Sequence, residues 1–496
     1  MQKMLSEIIA LLPEVQCQGI CEAAITGITQ DSRQVTQGSL FICLPGSKVD
    51  GHDFAEKAVA EGAVALLAER PLTVSGAAVL VVPDVREAMG RIVPFFYDRP
   101  TQKLRLLGVT GTNGKTTTTY LLKAILEAAG YRVGLIGTIQ SLIGDEKVPA
   151  KNTTPDVVEL QALLWRMAEA GMDYVVMEVS SHALALDRIA GCEFDMAMFT
   201  NMTQDHLDFH KTLGEYAEAK ARLFSLASQA GSKTGKHAVI NADDPAADVM
   251  RDAAACDILT YGIEDAQADL LAKNVQVTPE GARFLLQRKG EAWPVKLLLT
   301  GRFNVYNALG AIGAALSEGV SWPVIQDALA SFPGVPGRFE RVDGGKEFAV
   351  IVDYAHTPDG LENILRTARE MKPARVVTVF GCGGDRDRTK RPLMGALAAK
   401  YSDVVIATSD NPRSEEPETI LSEIEVGILQ ELRPEVQYEK IVDRRQGIGR
   451  ALELAQPGDI ILVAGKGHEN YQILKDKTIH FDDKEIIQEW LRQKEA

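Results

Sequence analysis

LRLLGVTGTNGKTTTTYLLKAILEAAG, residues 104–130, is the stretch that decides the fold. Its opening residues, 104–110, form a short apolar run of the length typical of a buried strand. A helical pattern follows over 116–129 and ends at Gly130. The loop between them contains two glycines, which allow the tight turns needed between strand and helix. The stretch therefore predicts a strand, a loop and a helix, the first unit of a parallel α/β sheet.

The loop between this strand and helix has the composition of a phosphate-binding site. Glycines let successive backbone N–H groups point at phosphate oxygens, and the N-terminus of the next helix adds its positive dipole end. Lys115 would reach the β- and γ-phosphates of a nucleoside triphosphate, and the Thr116 hydroxyl would bind Mg²⁺. The alternative is a glycine-rich turn with a chance lysine, but strand, loop and helix all fall where phosphate binding needs them. We predict a nucleotide site made of Gly111, Thr112, Asn113, Gly114, Lys115, Thr116 and Thr117.

Apolar runs alternate with helical patterns through the rest of the chain. Runs at 131–137 and 173–179 predict further strands of the central sheet, and Asp156 begins a helix between them. The last third repeats the pattern with strands predicted at 349–355, 375–381, 403–409 and 459–465. We predict an α/β protein with a small N-terminal α/β domain, a central P-loop-type parallel-sheet domain and a C-terminal doubly wound, Rossmann-like domain.

Length and two breaks in the pattern predict the domain boundaries. A chain of 496 residues suggests about three domains of roughly 150 residues. A turn-like segment lies at 97–101, and two Pro-Gly-type breaks lie close together at 332–337. We therefore predict domains at 1–100, 101–333 and 334–496.

Composition excludes several classes of protein. The formal net charge of −15 argues against a nucleic-acid or membrane-surface partner. No apolar run reaches the ~18 residues that a membrane span needs. The first fifteen residues carry Glu7 and lack a signal-type cleavage site, so we expect a cytoplasmic protein. The six cysteines do not form a disulfide framework; Cys17 and Cys21 are the only close pair, and we expect buried free thiols.

Candidate metal ligands follow two of the predicted strands. Glu178 ends the strand at 173–179, and a carboxylate at that end of a parallel strand, beside a phosphate loop, is well placed for Mg²⁺. His206 lies in the polar segment 201–208 after another apolar run. Taken singly, such residues are more often surface or capping residues. Lys220, from the residues alone, is interpreted as a solvated helical lysine.

The loop TGTNGKTTT at 110–118 resembles that of the Mur ligases and of their folylpolyglutamate synthetase relatives. The resemblance extends in matching order from Asp31 to Glu469. It implies an ATP-dependent ligase in which a substrate carboxylate attacks the γ-phosphate, and an amine then displaces phosphate from the acyl phosphate. It implies that ATP and Mg²⁺ are required, that Glu178 and His206 belong to a second magnesium site, and that Lys220 is carried as a carbamate.

Other matching segments imply where the nucleotide and the first substrate bind. The segment GRFNVYNA at 301–308 implies that Asn304 contacts the base, while Arg338 would meet the phosphates and Asp353 the ribose. Matches in the first two domains imply a site for UDP-N-acetylmuramoyl-L-alanyl-D-glutamate at Ser32, Asn152, Thr153, Thr154, Ser180 and Arg188. Leu186 departs from the family pattern, since many relatives have glutamine there.

The segment Asp410-Asn411-Pro412-Arg413 predicts what amine is added. The planar guanidinium of Arg413 matches a carboxylate, while Asp410 and Asn411 can accept hydrogen bonds from an ammonium. This DNPR pattern resembles that of the members that add meso-diaminopimelate, which ends in both groups. The same resemblance implies that Arg386, Gly465 and Glu469 complete the contacts. An ordinary Asn-Pro turn is the alternative.

Three other functions remain open from the sequence. A lysine-adding Mur ligase would share nearly every motif but would not need Arg413. A folylpolyglutamate synthetase would share the phosphate loop but would not need the Asp31-Ser32-Arg33 segment or DNPR. A nucleotide-binding regulator would change conformation without ligating anything. We expect a monomer in each case.

Overall fold

A computed structural model describes residues 1–46, 49–203, 210–342 and 347–493. The predicted α/β fold is confirmed, with a separate main sheet in each third of the chain. Among the described residues, no helix combines the length and apolar character needed to cross a membrane.

The N-terminal part is built on a small, mostly parallel sheet with strand order β2-β7-β6-β5-β4. Leu40, Leu67 and Leu80 lie on its inner face and pack against the first and third helices. The elements are β1 (Lys3–Met4), α1 (Leu5–Ile9), β2 (Gln16–Gln18), β3 (Ala24–Ile25), β4 (Gly27–Thr29), β5 (Ser39–Ile42), α2 (Ala55–Ala60), β6 (Ala63–Ala68), β7 (Ala78–Val81) and α3 (Val85–Phe96).

The cysteine pair of this part contradicts the expectation of buried free thiols. Cys17 is exposed on the edge strand β2 and is joined to Cys21 by a disulfide. The turn between them contains Gly19 at φ 91°, a left-handed conformation that brings the two cysteines together. The expectation holds for Cys43, Cys192 and Cys382, which are buried and free, while free Cys256 is half-buried.

The central part is a long sheet with strand order β11-β10-β9-β12-β8-β13-β14-β15-β16-β17-β18. Neighbouring strands from β9 to β16 are parallel, and the strands at both edges are antiparallel. The elements are β8 (Arg105–Thr110), α4 (Lys115–Ala128), β9 (Val133–Ile136), β10 (Gln140–Ile143), β11 (Glu146–Pro149), α5 (Val157–Glu169), β12 (Tyr174–Glu178), α6 (Ser181–Ala185), β13 (Met196–Phe199), α7 (Leu213–Ser228), β14 (His237–Asn241), α8 (Ala247–Ala253), β15 (Asp257–Gly262), β16 (Leu270–Thr278), β17 (Gly281–Arg288), β18 (Glu291–Leu297), α9 (Arg302–Ser317) and α10 (Trp322–Ser331).

Helices cover both faces of this sheet because its strands are apolar on both sides. Leu107 and Val109 of β8 pack in the core that contains α4 and α9. Leu106, which points to the other face, packs in the core that contains α5 and α7. The central position of β8 places the loop that follows it at the middle of the sheet's C-terminal edge.

The C-terminal part has strand order β19-β20-β24-β21-β22-β23, parallel except for β19. Its two cores lie on opposite faces of the sheet, as in a doubly wound fold. The elements are β19 (Glu340–Val342), β20 (Ala349–Asp353), α11 (Pro358–Glu370), β21 (Val376–Phe380), α12 (Lys390–Tyr401), β22 (Val404–Ala407), α13 (Pro417–Glu431), β23 (Gln437–Lys440), α14 (Arg444–Leu454), β24 (Ile460–Ala464), β25 (Tyr471–Ile473), β26 (Thr478–His480) and α15 (Asp483–Gln493).

Candidate active site

The phosphate loop, residues 111–117, joins β8 to the start of α4. Gly114 adopts φ 84°, and a Cβ on it would lie 2.2 Å from Asn307 Oδ1, so only glycine fits. The backbone N–H groups of Thr112 and Asn113 donate to the backbone and side-chain oxygens of Asn201, which follows β13. Lys115 Nζ donates to the carbonyls of Gly111 and Thr112, each at 2.8 Å. The loop is therefore held in shape by neighbouring strand ends, with the start of α4 facing a cavity.

Glu178 lies at the end of β12, fully buried beside the phosphate loop. Its Oε2 accepts from the Thr116 hydroxyl at 3.1 Å and from the Thr138 hydroxyl at 2.9 Å. Its Oε1 accepts from the Thr138 N–H at 2.9 Å. Thr138, which the motifs did not indicate, also contacts the Thr153 hydroxyl at 3.1 Å. The carboxylate and the loop hydroxyl thus form a fixed pair of oxygen donors.

Lys220 lies on α7 and is buried, so the interpretation as a solvated helical lysine is wrong. Its Nζ lies 4.2 Å from the centre of the Tyr216 ring, and the Tyr216 hydroxyl is 3.0 Å from Thr112 Oγ1 in the phosphate loop. The nearby Asp244 carboxyl has its pKa raised by burial, and the charge of Lys220 opposes that shift. The α7 face that carries Lys220 therefore packs toward the phosphate loop.

The third predicted metal ligand, His206, lies outside the described residues. Within the residues that the structure does describe, no three His, Cys, Asp or Glu side chains converge as a metal site. The His210 ring is tilted against the Tyr216 ring at 5.1 Å and lies 5.7 Å from the His182 ring, measured between ring centres. His210 therefore lies beside α6 and α7.

A cavity of about 290 Å³ separates the start of α4 from the beginning of the C-terminal sheet. The Arg338 guanidinium donates to Thr116 Oγ1 at 3.4 Å and lies 4.9 Å over the Tyr354 ring. Asp353 accepts from the backbone N–H groups of Phe339 and Ala355, and its burial raises the carboxyl pKa. The lining residues are Asn113, Gly114, Thr117, Asn201, Thr203, Phe303, Asn307, Arg338, Asp353, Tyr354, Ala355, His356, Thr357, Gly360, Asn363 and Ile364.

Asn304, the predicted base contact, is not among these lining residues. It is buried, donates to the Thr300 carbonyl at 2.8 Å and accepts from the Asn307 amide at 2.9 Å. Phe303 and Asn307, one residue before it and three after, line the cavity instead. The helical spacing of α9 places Asn307 on the face beside the phosphate loop. The motif alone did not show which of its two asparagines lies on that face.

The predicted first-substrate residues lie where the N-terminal and central parts meet. Thr154 Oγ1 accepts from the Ser180 N–H at 3.1 Å, and Arg188 pairs with Asp156 at 2.8 Å. Gln30 donates to Asp156 at 3.4 Å across this boundary. The Leu186 carbonyl also accepts from Arg86 across this boundary. Ser32 lines a separate cavity of about 570 Å³ within the N-terminal part, with Phe41, Phe54 and Lys57, and Asn152 is exposed.

The DNPR segment follows β22 and is largely buried. Asn411 is fully engaged: Oδ1 accepts from Lys466 Nζ and from the Ile473 N–H, and Nδ2 donates to Glu469 at 2.9 Å. Asp410 Oδ1 is buried and has no hydrogen-bond partner in the described structure. Lys466 Nζ lies 3.5 Å from this oxygen as an ion-pair partner, so Asp410 is held by charge whereas Asn411 is held by hydrogen bonds.

The other residues predicted for this site differ in how closely they approach Asp410. Arg413 adopts φ 53° and donates to the Gly384 carbonyl at 2.8 Å. Gly465 follows β24 and lies beside Asp410, leaving room there because a Cβ would be 3.8 Å from the carboxyl carbon. Arg386 is exposed and donates to the neighbouring Asp385 carbonyl at 3.0 Å. Lys466, which sequence reasoning passed over, is fully buried between the predicted ligands.

Comparisons with known proteins match this arrangement along its whole length. Three family models match: "Mur ligase family, catalytic domain" at 24–97, "Mur ligase middle domain" at 109–315 and "Mur ligase, glutamate ligase domain" at 337–467. A UDP-N-acetylmuramoyl-L-alanyl-D-glutamate–2,6-diaminopimelate ligase of Syntrophomonas wolfei is 49% identical over 477 residues, 96% of each chain. The chain belongs to the Mur ligase family.

Solved structures of Mur ligases share the fold. The structure of a UDP-N-acetylmuramoyl-L-alanyl-D-glutamate–2,6-diaminopimelate ligase is 36% identical, covers 100% of both chains and superposes with a TM-score of 0.73. A MurF ligase of Thermotoga maritima in complex with ADP is 19% identical and superposes with a TM-score of 0.63, covering 94% of this chain and 98% of that one. The second similarity concerns the fold alone.

Proposed function

We propose that this Mur ligase uses ATP to join meso-diaminopimelate to UDP-N-acetylmuramoyl-L-alanyl-D-glutamate, a step of peptidoglycan precursor synthesis in the cytoplasm. The 49% identical relative carries that activity in its name. The observation that carries the proposal for this chain is the DNPR loop, where the cationic Arg413 and the anionic Asp410 lie three residues apart. The distal end of diaminopimelate carries an ammonium and a carboxylate on one carbon, and binding both groups needs one anionic and one cationic side chain.

The phosphate loop and Arg338 support the phosphoryl step. Arg338 brings one cation to Thr116, and Lys115, whose Nζ lies at the Gly111 and Thr112 carbonyls, would supply a second to the γ-phosphate of ATP. The glutamyl carboxylate attacks that phosphorus, and ADP leaves. The amine of the added amino acid then attacks the acyl carbon, and phosphate leaves from the tetrahedral intermediate. These residues position reactants and neutralise charge, and no protein nucleophile is required.

Oxygen donors at the loop fit a magnesium ion. Mg²⁺ prefers oxygen ligands, and the Thr116 hydroxyl and Glu178 carboxylate lie 3.1 Å apart. When bound, the ion would neutralise charge on the transferring phosphate. His206 and Lys220 would complete a second magnesium site. Lys220 is buried on the same side, and addition of its neutral amine to CO₂, with loss of a proton, would convert it into an oxygen-bearing carbamate.

The remaining predicted residues assign the other substrate regions. We propose that 1–100 binds the UDP moiety at Ser32, that 101–333 binds ATP, and that 334–496 binds the amino acid. Thr153, Thr154, Ser180 and Arg188 would hold the muramoyl-dipeptide, because Thr153 contacts Thr138 beside Glu178 and Thr154 contacts Ser180 and Arg188. Asn152, exposed beside them, would join on substrate binding. Asp353 would contact the ribose, with Asn304 supporting Asn307 beneath the base.

An omission experiment tests the proposal. Phosphate release is measured with ATP, the UDP-muramoyl-dipeptide and diaminopimelate together, and again with each one left out in turn. A ligase releases phosphate only with all three. Release that continues without the amino acid would indicate a nucleotide hydrolase or switch and would contradict the proposal.

A further inference from the structure

Lys466 is a buried cation within the proposed amino-acid site. It lies in the loop after β24, between Gly465 at φ 117° and Gly467 at φ 53°, and its side chain is fully buried. A Cβ on Gly467 would lie 2.6 Å from the Tyr354 Cβ, so the loop packs closely against the chain after β20. The two glycines allow the sharp turn that places the lysine side chain in the interior.

The ammonium of Lys466 lies between the two carboxylates of the site. Its Nζ is 3.5 Å from Asp410 Oδ1 and 3.4 Å from Glu469 Oε2. It donates to Asn411 Oδ1 at 3.2 Å and lies 5.6 Å from the centre of the Tyr471 ring. One buried cation is thus shared by two acidic side chains, and it cancels one of their two charges.

We propose that Lys466 is a specificity-determining residue that balances the charge of the amino-acid site. The inference deepens the proposed function and rests on it. Asp410 and Glu469 supply two negative charges, and Lys466 and Arg413 supply two positive ones, so these four side chains, which we call the distal pocket, are neutral together. The distal end of diaminopimelate, an ammonium and a carboxylate, is also neutral. Lysine ends in an ammonium alone and matches a pocket with one more negative charge.

Removal of Lys466 therefore changes which amino acid fits. Without it the distal pocket carries one uncompensated negative charge, which favours a ligand end that is purely cationic. Such a charge within about 4 Å of a ligand ammonium, away from water, changes relative binding by about tenfold or more. A residue that only stabilised the fold would lower the rates with both amino acids alike.

The test compares kcat/KM for diaminopimelate and for lysine in four proteins. Lys466→Met should lower the diaminopimelate-to-lysine ratio by about tenfold or more. Glu469→Gln removes one negative charge from the distal pocket with little change of shape, so it should raise the diaminopimelate-to-lysine ratio. Lys440→Met is the matched control. Lys440 lies on β23, outside the distal pocket, and pairs with Glu425 at 2.7 Å, so its loss should leave the diaminopimelate-to-lysine ratio unchanged.

Each outcome decides the inference. An unchanged ratio in Lys466→Met and Glu469→Gln, or an equal loss for both amino acids, would overturn it. If Lys466→Met does not fold, the direction of the change in Glu469→Gln decides alone. A wild-type enzyme that releases no phosphate with diaminopimelate would contradict the proposed function instead, whereas an active enzyme with unchanged ratios would contradict only the role of Lys466.

Discussion

Several side chains that carry the proposed chemistry are polar groups in the interior. Glu178 and Lys466 are fully buried, and Lys220 and Asp410 nearly so. Buried polar and charged groups are costly unless hydrogen-bonded or paired, and here Glu178 accepts from two threonine hydroxyls and Lys466 pairs with Asp410 and Glu469. Residue type and spacing allowed the ligand chemistry of Glu178 and Asp410 to be predicted. Residue type and spacing do not show which side chains are buried. For that reason Lys220 was interpreted as a surface residue and Lys466 was not predicted as part of the site.

Lys220→Ala should reduce ligase activity by at least about a hundredfold, because it removes the group proposed to become a carbamate. A short carboxylic acid in the buffer should restore part of the activity by supplying the missing oxygens. The matched control is Lys211→Ala, an exposed lysine near the start of the same helix, which should keep the wild-type rate. Activity is measured as amino-acid-dependent phosphate release. Wild-type rates in Lys220→Ala would show that the lysine is not needed.

Arg413→Ala should raise the KM for diaminopimelate by about a hundredfold, since the distal carboxylate loses its cationic partner. Lysine should bind relatively better, because loss of the guanidinium leaves the distal pocket with one uncompensated negative charge, as Lys466→Met does. The control Arg433→Ala removes an exposed arginine paired with Glu435 and should behave as wild type. The measurement is kcat/KM for both amino acids. A wild-type KM for diaminopimelate in Arg413→Ala would rule out this pairing.

At the scale of elements, the parallel strands were the most predictable part. Strands β8, β12, β20 and β24 lie within the runs 104–110, 173–179, 349–355 and 459–465, because strands buried on both faces are continuously apolar. The strands β16, β17 and β18, which pair antiparallel with one another, were not identified, since much of one face is exposed and the apolar residues largely alternate. The sheet of the first part is made of short strands with weak patterns, and only its α/β class was predicted.

The two glycines at the ends of α4 provide a paired prediction about the phosphate loop. Both have positive φ, 84° at Gly114 and 92° at Gly130. A Cβ on Gly114 would meet Asn307 at 2.2 Å, whereas a Cβ on Gly130 would meet nothing within 4 Å. Gly130→Ala should lose about 1 kcal/mol from backbone strain alone. Gly114→Ala should lose about 2–3 kcal/mol and should also raise the KM for ATP.

Urea unfolding and ATP kinetics check this pair. Equal stability losses and an unchanged KM for ATP in both variants would show that Gly114 is only a turn residue. Normal ATP kinetics in Gly130→Ala are expected, because that glycine lies at the far end of the helix from the loop.

At the scale of the whole molecule, the site is assembled from separate parts of the chain. Asp359 of α11 accepts from Asn113 of the phosphate loop at 2.8 Å and from Thr203 at 3.0 Å, so the central and C-terminal parts meet at the nucleotide cavity. Gly337 packs against the loop that carries Lys466, where a Cβ would lie 2.1 Å from the His468 nitrogen. Such contacts between distant segments could not be read from local patterns. The motifs indicated which segments contribute to the site, but they did not indicate which of these segments contact one another.

His468, at this junction, links stability to pH. Burial, and then the charge of Arg338, lower its pKa from 6.5 to about 4. Between those values the unfolded chain binds a proton that the folded protein does not, so the contribution of His468 to stability is lost as pH falls from about 6.5 to about 4. His468→Asn should therefore lose less thermal stability than wild type on going from pH 7 to pH 5.

His480 is the matched control with the opposite sign. Its pKa is raised by the hydrogen bond to Glu485, so its contribution is present at low pH and is lost as pH rises through the raised value. His480→Asn should therefore lose more thermal stability than wild type between pH 7 and pH 5. The measurement is the thermal midpoint of the three proteins at both pH values. The same change in midpoint for all three would contradict the assignment.

The most direct test of the whole assignment is an amino-acid panel with product analysis. Wild-type protein is incubated with ATP, Mg²⁺ and UDP-N-acetylmuramoyl-L-alanyl-D-glutamate, with meso-diaminopimelate, lysine, glutamate or alanine supplied one at a time, and the nucleotide product is identified by mass spectrometry. We predict one efficient product, the UDP-muramoyl-tripeptide that contains diaminopimelate. A lysine product formed as efficiently, or ATP hydrolysis with no ligated product, would contradict the account.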